Sequence, residues 1–412
     1  MKKCRIISTY FIVALVLLLG ASAVGLAADK EEILVVSAIP QTGPFASDGE
    51  QMQMALEMAV DEYNKKGGVL GRKVVIKFGD VGGLEPEKIQ AVGERLMGSD
   101  PHAIITGYDD SGVNTRVFGK FKQPYLHCVA MTEATKPVAE NPGFRNCFQY
   151  CPNDTAYGIN AAANLFDIPK AIDWKEPNKK LAIIAADYSY NVFAADAFKE
   201  KAEDKGYKTA VYEIVPFGVV EWGPVLSKIK KEKPAYITLW VLEPADMSRF
   251  MIQFRDMFKK EGLDSLVFMQ YTPNIPEFLQ LAKESAEGVI WTTSIGPVGK
   301  GVKEYNTRWE KRFKEPPKGI YAQATRDAFD IWVQAVEKAG CVDCFENVIE
   351  NIQSITYSGM CGNYKFDPYD QAAFSSVEAI PMVWHQVWNG KHNITGPENL
   401  AEFDYKRPPW LP

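Results

Sequence analysis

The sequence predicts an α/β protein made of two Rossmann-like lobes that are joined by a hinge of several strands. Three observations lead to this fold class. Residues 33–80 have the pattern of a strand, a helix and a second strand. Further strand–loop–helix steps follow in two separate blocks, at about 85–132 and 181–293. The chain of 412 residues is also longer than one ordinary hydrophobic core supports, which favours two domains.

The first strand–helix–strand unit sets the expected geometry of the first lobe. Residues 33–39 are a short apolar run, typical of a strand buried on both faces. A loop at 41–48 follows, and the spacing of Ser47 and Glu50 predicts a capping box at the start of a helix. Such a unit requires a parallel sheet, and ligands bind beyond the carboxyl ends of its strands. The loop at 41–48 is therefore expected to face a binding site.

The remaining apolar patterns continue the alternation of strands and helices as far as the Trp- and Pro-rich region after residue 381. Short apolar runs predict strands at residues 74–78, 103–106, 125–129, 181–185, 209–215, 236–241, 266–269 and 289–293. Helical periodicity predicts helices at residues 85–97, 113–121, 194–205, 225–231, 246–258 and 320–339. The alternation is typical of doubly wound sheets.

The character of the chain changes where Pro152, Asn153 and Asp154 follow one another closely. We expect the chain to cross to a second lobe there and to return at the strand predicted for residues 289–293. Two lobes joined by several strands leave a cleft between them. Closure of the lobes around a ligand is the expected motion.

Residues 1–28 have the pattern of a secretory leader. A basic start is followed by an apolar stretch at 12–19 and by small residues up to Ala28, where cleavage is expected. The apolar stretch is too short for a stable membrane span, although an uncleaved anchor is the alternative. The leader therefore predicts export to the periplasm.

Charge and motifs narrow the function classes. The net charge of −6 becomes −9 once the three basic residues of the leader are removed. Such an acidic chain disfavours nucleic acid and anionic lipid as partners. The sequence has no GxGxxG loop after a strand, no Walker A sequence, no GxSxG elbow and no HExxH motif. We therefore expect a protein that is not an enzyme and that needs no cofactor.

Six cysteines follow the leader, and an even number in an oxidising compartment predicts disulfides with 15 conceivable pairings. The CxxC motif near the C-terminus is also found in redox and zinc sites, but a thioredoxin-like context is missing and the histidines are scattered. The preferred pairing joins Cys341 or Cys344 to Cys361, because one short helical segment separates them. The six candidates are Cys128, Cys147, Cys151, Cys341, Cys344 and Cys361.

Two motifs near the start of the chain and one turn carry a resemblance to a known family. GPFASDG at 43–49 precedes a helix that ends in NKKGGVLGR at 64–72, and ESAEG lies at 284–288. This pattern resembles the periplasmic leucine/isoleucine/valine-binding protein family from about residue 33 to residue 367. The resemblance implies the type I periplasmic-binding fold, a Venus-flytrap of two lobes.

The resemblance also implies the partners of the protein and the course of its chain. Members of this family are solute receptors of ABC importers, so the expected partners are a small-molecule ligand and an inner-membrane ABC permease, and the protein is expected to be a monomer. The family's chain crosses between the lobes a third time. We therefore expect a signal peptide at 1–28, an N-terminal lobe at 29–150 plus 293–380, and a C-terminal lobe at 151–292 plus 381–412.

Three residues in strand-end loops of the first lobe are candidates for a carboxylate site. Ser111 follows one predicted strand, and Ala130 and Thr132 follow the next. Hydroxyls and free backbone N–H groups at strand ends and helix starts bind anions. In the similar family a Ser, an Ala main chain and a Thr at these positions hold the ligand's α-carboxylate. The structural alternative is that Ser111 and Thr132 only cap helices.

The second lobe supplies polar and aromatic residues at strand ends, where the resemblance implies a cleft. Tyr271 or Thr272 stands where amino-acid receptors of the family have a Glu that pairs with the ligand ammonium. Glu243 or Asp48 is the expected replacement, because a buried cation needs a partner. Alternatively, the ligand has no ammonium. The candidates in this group are Tyr190, Trp240, Glu243, Tyr271, Thr272 and Tyr321.

These observations together predict a periplasmic receptor that binds a branched-chain or other hydrophobic amino acid by closure of its lobes. An aromatic or other small carboxylic acid or amide is the alternative ligand. An exported enzyme on a two-lobed scaffold and the sensor domain of a signalling receptor are the rivals from other classes. The sequence contains no effector module that would support the sensor.

Overall fold

The computed structural model describes residues 31–108, 112–259 and 262–412. Its strands form two large sheets and one small two-stranded sheet. The strands are β1 (Ile33–Ile39), β2 (Val74–Asp80), β3 (Ala103–Ile105), β4 (Tyr125–His127), β5 (Cys147–Gln149), β6 (Lys180–Ala186), β7 (Lys208–Val215), β8 (Tyr236–Trp240), β9 (Leu266–Gln270), β10 (Ile290–Thr293), β11 (Tyr357–Ser358), β12 (Asn363–Tyr364), β13 (Val383–Trp388) and β14 (Lys391–Gly396).

Helices connect most of these strands and cover both large sheets. They are α1 (Ala46–Lys65), α2 (Pro86–Met97), α3 (Val113–Phe118), α4 (Thr132–Glu140), α5 (Asp154–Asn164), α6 (Ile168–Ala171), α7 (Ser189–Asp204), α8 (Gly223–Glu232), α9 (Pro244–Phe258), α10 (Pro276–Ala282), α11 (Val302–Phe313), α12 (Tyr321–Ala339) and α13 (Phe345–Gln353). Short 3-10 helices lie at Pro142–Phe144, Leu165–Asp167, Thr272–Asn274 and Lys283–Ala286.

The first sheet has the strand order β2-β1-β3-β4-β5, and its paired strands run parallel. Side chains alternate between its two faces because successive residues of a strand point in opposite directions. Val35 belongs to the core that contains α1 and α12, whereas Val36 belongs to the core that contains α2. This burial on both faces explains the continuous apolar run of β1.

The second sheet has the order β14-β13-β10-β9-β8-β6-β7 and forms the other half of the molecule. Its central strands are parallel, whereas β13 pairs antiparallel with β10. The chain passes from β5 through α5 to this sheet, leaves it after β10 for α11, α12 and α13, and returns at β13. The predicted α/β class with two Rossmann-like lobes is therefore confirmed.

The end of α1 agrees with the sequence analysis, but its beginning does not. The helix begins at Ala46, so Ser47 lies inside its first turn and Phe45 is the N-cap without a side-chain hydrogen bond. The Ser47 hydroxyl donates instead to Glu277 Oε2 at 3.2 Å. The predicted capping box is therefore wrong, because a contact distant in sequence uses the serine.

Helices α4 and α5, strand β5 and the hairpin of β13 with β14 were not predicted. Strand β5 has only three residues and comes just before Pro152, where the sequence analysis placed the crossing to the second lobe. The hairpin adds two antiparallel strands at the edge of the second sheet. None of the helices in the described ranges combines the length and apolarity that a bilayer crossing requires.

The cysteine pairing in the structure differs from the pairing that the sequence analysis preferred. Cys341 is joined to Cys344 by a disulfide, with the two Cα atoms 5.8 Å apart. Cys361 is a buried free cysteine, and its backbone N–H donates to Asp327 Oδ2 at 2.9 Å. The pairing with Cys361 is wrong, because Asp327 holds its backbone inside the core. Cys128, Cys147 and Cys151 are also free and buried. Over the same described ranges, no cluster of three or more His, Cys, Asp or Glu could hold a metal ion.

Peptide mapping without reduction is expected to find Cys341 linked to Cys344, with the Cys361 thiol alkylated only after denaturation. The double variant Cys341→Ser/Cys344→Ser should lower the free energy of unfolding by roughly 2 kcal/mol, because the disulfide closes a short loop. Cys361→Ser serves as the control in mapping, since it should leave the linked peptide unchanged. A linked peptide that contains Cys361 would contradict the pairing.

Candidate functional site

One cleft lies between the two large sheets, where the carboxyl ends of their parallel strands meet. Its enclosed cavity volume is about 50 Å³. Loops after β1, β3, β4, β6, β8, β9 and β10 all reach it, as expected for open parallel sheets. The lining residues are Phe45, Tyr108, Cys128, Val129, Ala130, Met131, Tyr157, Tyr188, Tyr190, Leu242, Tyr271, Ile295 and Tyr321.

The walls of the cleft are predominantly aromatic. The ring centroids of Tyr108 and Tyr321 are 5.2 Å apart, and Phe45 packs edge-on against Tyr108 at 5.7 Å. On the other side, Tyr157 and Tyr190 meet edge-to-face at 6.0 Å. Among the described residues that line the cleft, none has a side chain that is charged at neutral pH. The surface therefore suits the apolar part of a ligand.

A buried carboxylate lies directly behind the aromatic wall. Asp48 is 2% exposed and is located in the first turn of α1. The hydroxyls of Tyr271 and Tyr108 both donate to its Oδ2, at 2.6 and 2.9 Å. Burial raises the pKa of Asp48 to about 6, although the two phenol hydrogen bonds counteract the shift. Asp48 is therefore predominantly ionised at neutral pH, and neither phenol engages its second oxygen.

The hydrogen bond between Asp48 and Tyr271 also spans the cleft, because α1 packs on the first sheet and Tyr271 follows β9 of the second. The Ser47–Glu277 hydrogen bond spans it in the same way. The Tyr271 backbone has φ 61° and ψ −50°, a conformation that non-glycine residues rarely adopt. Backbone strain of this kind persists where surrounding contacts fix it, and it is concentrated at binding sites.

Four of the predicted site residues line the cleft, namely Ala130, Tyr190, Tyr271 and Tyr321. Asp48 lies behind them, as just described. Tyr190 accepts a hydrogen bond of 2.6 Å from Gln270 Nε2, which holds its ring in place. Ser111 lies outside the described residues.

Thr132 does not line the cleft. Its hydroxyl donates to Asp154 Oδ1 at 2.6 Å, and its N–H points to the same carboxylate at 3.3 Å. Asp154 therefore takes the place that the sequence analysis gave to a ligand carboxylate. The placement of Thr132 in a ligand cradle needs correction, because a side chain five residues after β5 reaches it first.

Trp240, Glu243 and Thr272 also lie away from the cleft. Trp240 is fully buried between Phe198 and Phe268, with ring centroids 5.5 and 5.6 Å away. Glu243 caps α9 by accepting the Ala245 N–H at 3.0 Å, and burial raises its pKa. The Thr272 hydroxyl donates to the Val241 carbonyl. These three side chains serve the packing and capping of the second lobe.

The sequence analysis missed four of the aromatic residues that line the cleft. Phe45 lies in the GPFASDG motif, and Tyr188 is two residues before the predicted Tyr190. Tyr108 lies three residues after the end of β3, so its position in a strand-end loop was a usable signal. Tyr157 lies in α5, where nothing in the local pattern points to a cleft. Its hydroxyl is 2.5 Å from Ser294 Oγ, after β10.

Two α/β lobes around one aromatic cleft, bridged by side-chain hydrogen bonds, define a ligand-binding protein that closes over its ligand. A family model described as periplasmic binding protein matches residues 32–379. The chain belongs to the periplasmic binding protein family, which confirms the resemblance drawn from the sequence. Members of this family bind solutes and are not enzymes.

Named relatives give the similarity in more detail. The leucine-, isoleucine-, valine-, threonine- and alanine-binding protein of Pseudomonas aeruginosa is 24% identical over 89% of this chain and 93% of its own length. A putative branched-chain amino acid ABC transporter structure from Silicibacter pomeroyi has a TM-score of 0.85 and 26% identity, covering 92% of this chain and all of that one.

One solved structure with this fold holds a different kind of ligand. The solute-binding protein of an ABC transporter from Rhodopseudomonas palustris was solved in complex with 3,4-dihydroxybenzoic acid. It has a TM-score of 0.71 and 20% identity, covering 92% of this chain and 99% of that one. At this identity the similarity establishes the fold alone.

Proposed function

We propose that this protein is the extracytoplasmic receptor of an ABC importer and that it binds a hydrophobic amino acid, with branched-chain amino acids as the best ligands. One observation carries the ligand assignment, namely an aromatic cleft with the buried carboxylate of Asp48 behind its wall. The relatives with branched-chain names support it. The lobe boundaries at 29–150 plus 293–380 and 151–292 plus 381–412 remain part of the proposal.

The side chain of the amino acid would fill the aromatic space. Tyr108 and Tyr321 on one lobe face Tyr157 and Tyr190 on the other, so closure surrounds an aliphatic group with ring surfaces. Burial of each methylene is worth about 0.8 kcal/mol. Leucine should therefore bind more tightly than valine, and valine more tightly than alanine.

Asp48 would supply the charge for the ligand's ammonium. The carboxylate is predominantly ionised at neutral pH, and its Oδ1 is free of the two phenols that donate to Oδ2. A buried cation needs an anionic partner, and Glu243 is occupied in capping a helix. Asp48 is therefore the better of the two replacements for the glutamate that the family has after β9.

The carboxylate of the amino acid would lie against the Ala130 main chain, outside the first turn of α4, because Asp154 already takes the Thr132 N–H and hydroxyl. Ala130 and Met131 line the cleft just before the first residue of this helix. Ser111 remains a candidate for a second contact.

A small aromatic carboxylic acid or amide is the second candidate ligand. The aromatic walls favour it, and a structure with this fold holds 3,4-dihydroxybenzoic acid. An ionised carboxylate is repelled by Asp48 unless Asp48 takes up a proton. The aromatic alternative therefore needs a different protonation state of Asp48 from the amino-acid proposal.

Calorimetry with leucine and 4-methylpentanoate tests the proposal, because the two differ only by the ammonium group. Leucine should bind roughly 10- to 150-fold more tightly, since a hydrogen bond to a charged group contributes about 1.5–3 kcal/mol. Mass spectrometry of ligand released from denatured protein gives an independent answer. Equal or tighter binding of 4-methylpentanoate, or of benzoate, would reject the amino acid in favour of the carboxylic acid.

A further inference from the structure

A second cavity lies behind the wall of the ligand cleft and shares none of its lining residues. It has a volume of about 210 Å³ and is lined by Asn274, Trp291, His385 and His392, among others. Strands β10, β13 and β14, at the β14 side of the second sheet, form its floor. Gly319 and Ile320, which precede α12, close it from the side of the first lobe.

The register of three strands builds an aromatic platform in this cavity. Trp291 of β10 lies directly opposite His385 of β13, and His385 lies opposite Ile394 of β14. Directly opposed residues share one face of a sheet, so the rings come together. Trp291 and His385 stack with centroids 4.0 Å apart and an interplanar angle of 10°, and His392 meets Trp291 edge-on at 5.0 Å.

Several polar atoms of the cavity have no protein partner. They are Trp291 Nε1, Asn274 Nδ2 and His392 Nδ1. Trp291 is 2% and Asn274 7% exposed, so bulk water does not satisfy their donors freely. Trp291 Nε1 and Asn274 Nδ2 are both donors, and buried donors without an acceptor cost free energy. The residues that line the cavity therefore include two buried donors with no described acceptor.

The chemistry of the cavity favours an uncharged occupant. Burial lowers the pKa of His385 to about 3 and that of His392 to about 4, so both rings are neutral near pH 7. The other described residues that line the cavity have no ionisable side chain. A charged ligand would lose its hydration here without gaining an opposite charge.

We propose that this cavity is a second binding site, for a small planar uncharged molecule that carries a carbonyl or ring-nitrogen acceptor. The ring of such a ligand would lie against the stacked Trp291 and His385. Its acceptor would take the Trp291 Nε1–H and the Asn274 Nδ2–H. An occupant would contact both lobes, since Trp291 belongs to the second sheet and Ile320 precedes α12 on the first.

Titration with benzamide, followed by saturation-transfer NMR in the presence of saturating leucine, tests this site. Leucine fills the main cleft, so benzamide that still binds must occupy another site. Trp291→Phe keeps a ring but removes the donor, and it should weaken benzamide roughly 3- to 10-fold. Benzoate, which has the same ring with a negative charge, should bind more weakly than benzamide.

The matched control is Tyr271→Phe, which removes one hydroxyl from the main cleft and should leave benzamide affinity unchanged. The two variants report on different cavities even if leucine does not bind. Failure of the amino-acid proposal can therefore be distinguished from failure of the second site. Benzamide that is displaced by leucine, or that is weakened by Tyr271→Phe and not by Trp291→Phe, would overturn the second site. Tighter binding of benzoate than of benzamide would contradict the proposal that the ligand is uncharged. Absence of benzamide binding would contradict the second site and indicate a cavity that holds water only.

Discussion

Replacement of Asp48 by asparagine should weaken leucine binding by roughly 10- to 150-fold. The proposed ammonium contact is a hydrogen bond to a charged group, and its loss costs about 1.5–3 kcal/mol. Asparagine has nearly the same shape and its carbonyl oxygen still accepts from Tyr108 and Tyr271, so the change removes the charge and keeps the interlobe contact. Calorimetry with leucine measures the loss directly.

The same variant should make the ligand-free protein more stable at neutral pH. Burial raises the pKa of Asp48 to about 6 from an ordinary value of 3.8, so the folded state holds the proton more tightly than the unfolded chain. Ionised Asp48 therefore destabilises the fold above pH 6, and this penalty disappears as the pH falls to 3.8. Its size is at most about 3 kcal/mol, at 1.36 kcal/mol per unit of pKa. Chemical denaturation of both proteins at pH 7 should show a gain in Asp48→Asn.

Leucine affinity should decrease as the pH falls, whereas the stability of the ligand-free protein should increase. Asp48 takes up a proton as the pH falls through about 6, so affinity should decrease from pH 7 to pH 5 in the natural sequence. The Asp48→Asn variant should lack this decrease. The binding of 4-methylpentanoate should not decrease in that window, because it has no ammonium.

Tyr271→Phe separates the two roles that Asp48 combines. It removes one hydroxyl of the interlobe contact and leaves the carboxylate charge in place. If Asp48 acted only as a bridge between lobes, Tyr271→Phe would weaken leucine strongly and Asp48→Asn would have little effect. An Asp48→Asn variant that binds leucine as tightly as the natural protein would contradict the ammonium assignment.

Trp240→Ala should lower the free energy of unfolding by about 3–5 kcal/mol, as truncation of large buried aromatic residues does. Trp240 is fully buried at the end of β8 between Phe198 of α7 and Phe268 of β9. Its Nε1–H donates to Thr238 Oγ1 at 3.1 Å, so truncation also removes one of the two hydrogen bonds of a buried hydroxyl. Urea denaturation measures the effect.

The order of ligand affinities separates a packing role of Trp240 from a binding role. Trp240→Phe should recover most of the stability, and both variants should bind leucine, valine and alanine in the natural order wherever they remain folded. Tyr190→Phe is the matched change on the cleft wall, since it leaves the core intact. A folded Trp240→Ala protein with a changed ligand order would contradict the core assignment.

The fold was largely predictable because its signals are local. Residues 33–80 contain the apolar run of β1, the periodic face of α1 and the glycines that end it, and each depends only on neighbouring residues. The first sheet then follows from the need for a right-handed parallel crossover. The β13–β14 hairpin carries a local signal in its Asn389-Gly390 turn that the sequence analysis did not use, whereas the pairing of β13 with β10, almost a hundred residues earlier, has no local signal.

The sequence by itself determined the family, the two-lobed α/β class and the expectation that strand-end loops form a cleft. Only the tertiary structure decided which strand-end side chains enter that cleft. Trp240 and Tyr271 both end or follow a strand, yet one points into the core and the other into the cleft. The direction depends on strand register and on the turn after the strand, where Tyr271 adopts a positive φ. Asp48 likewise became a buried, elevated-pKa carboxylate only because α1 and the loop after β9 meet across the cleft.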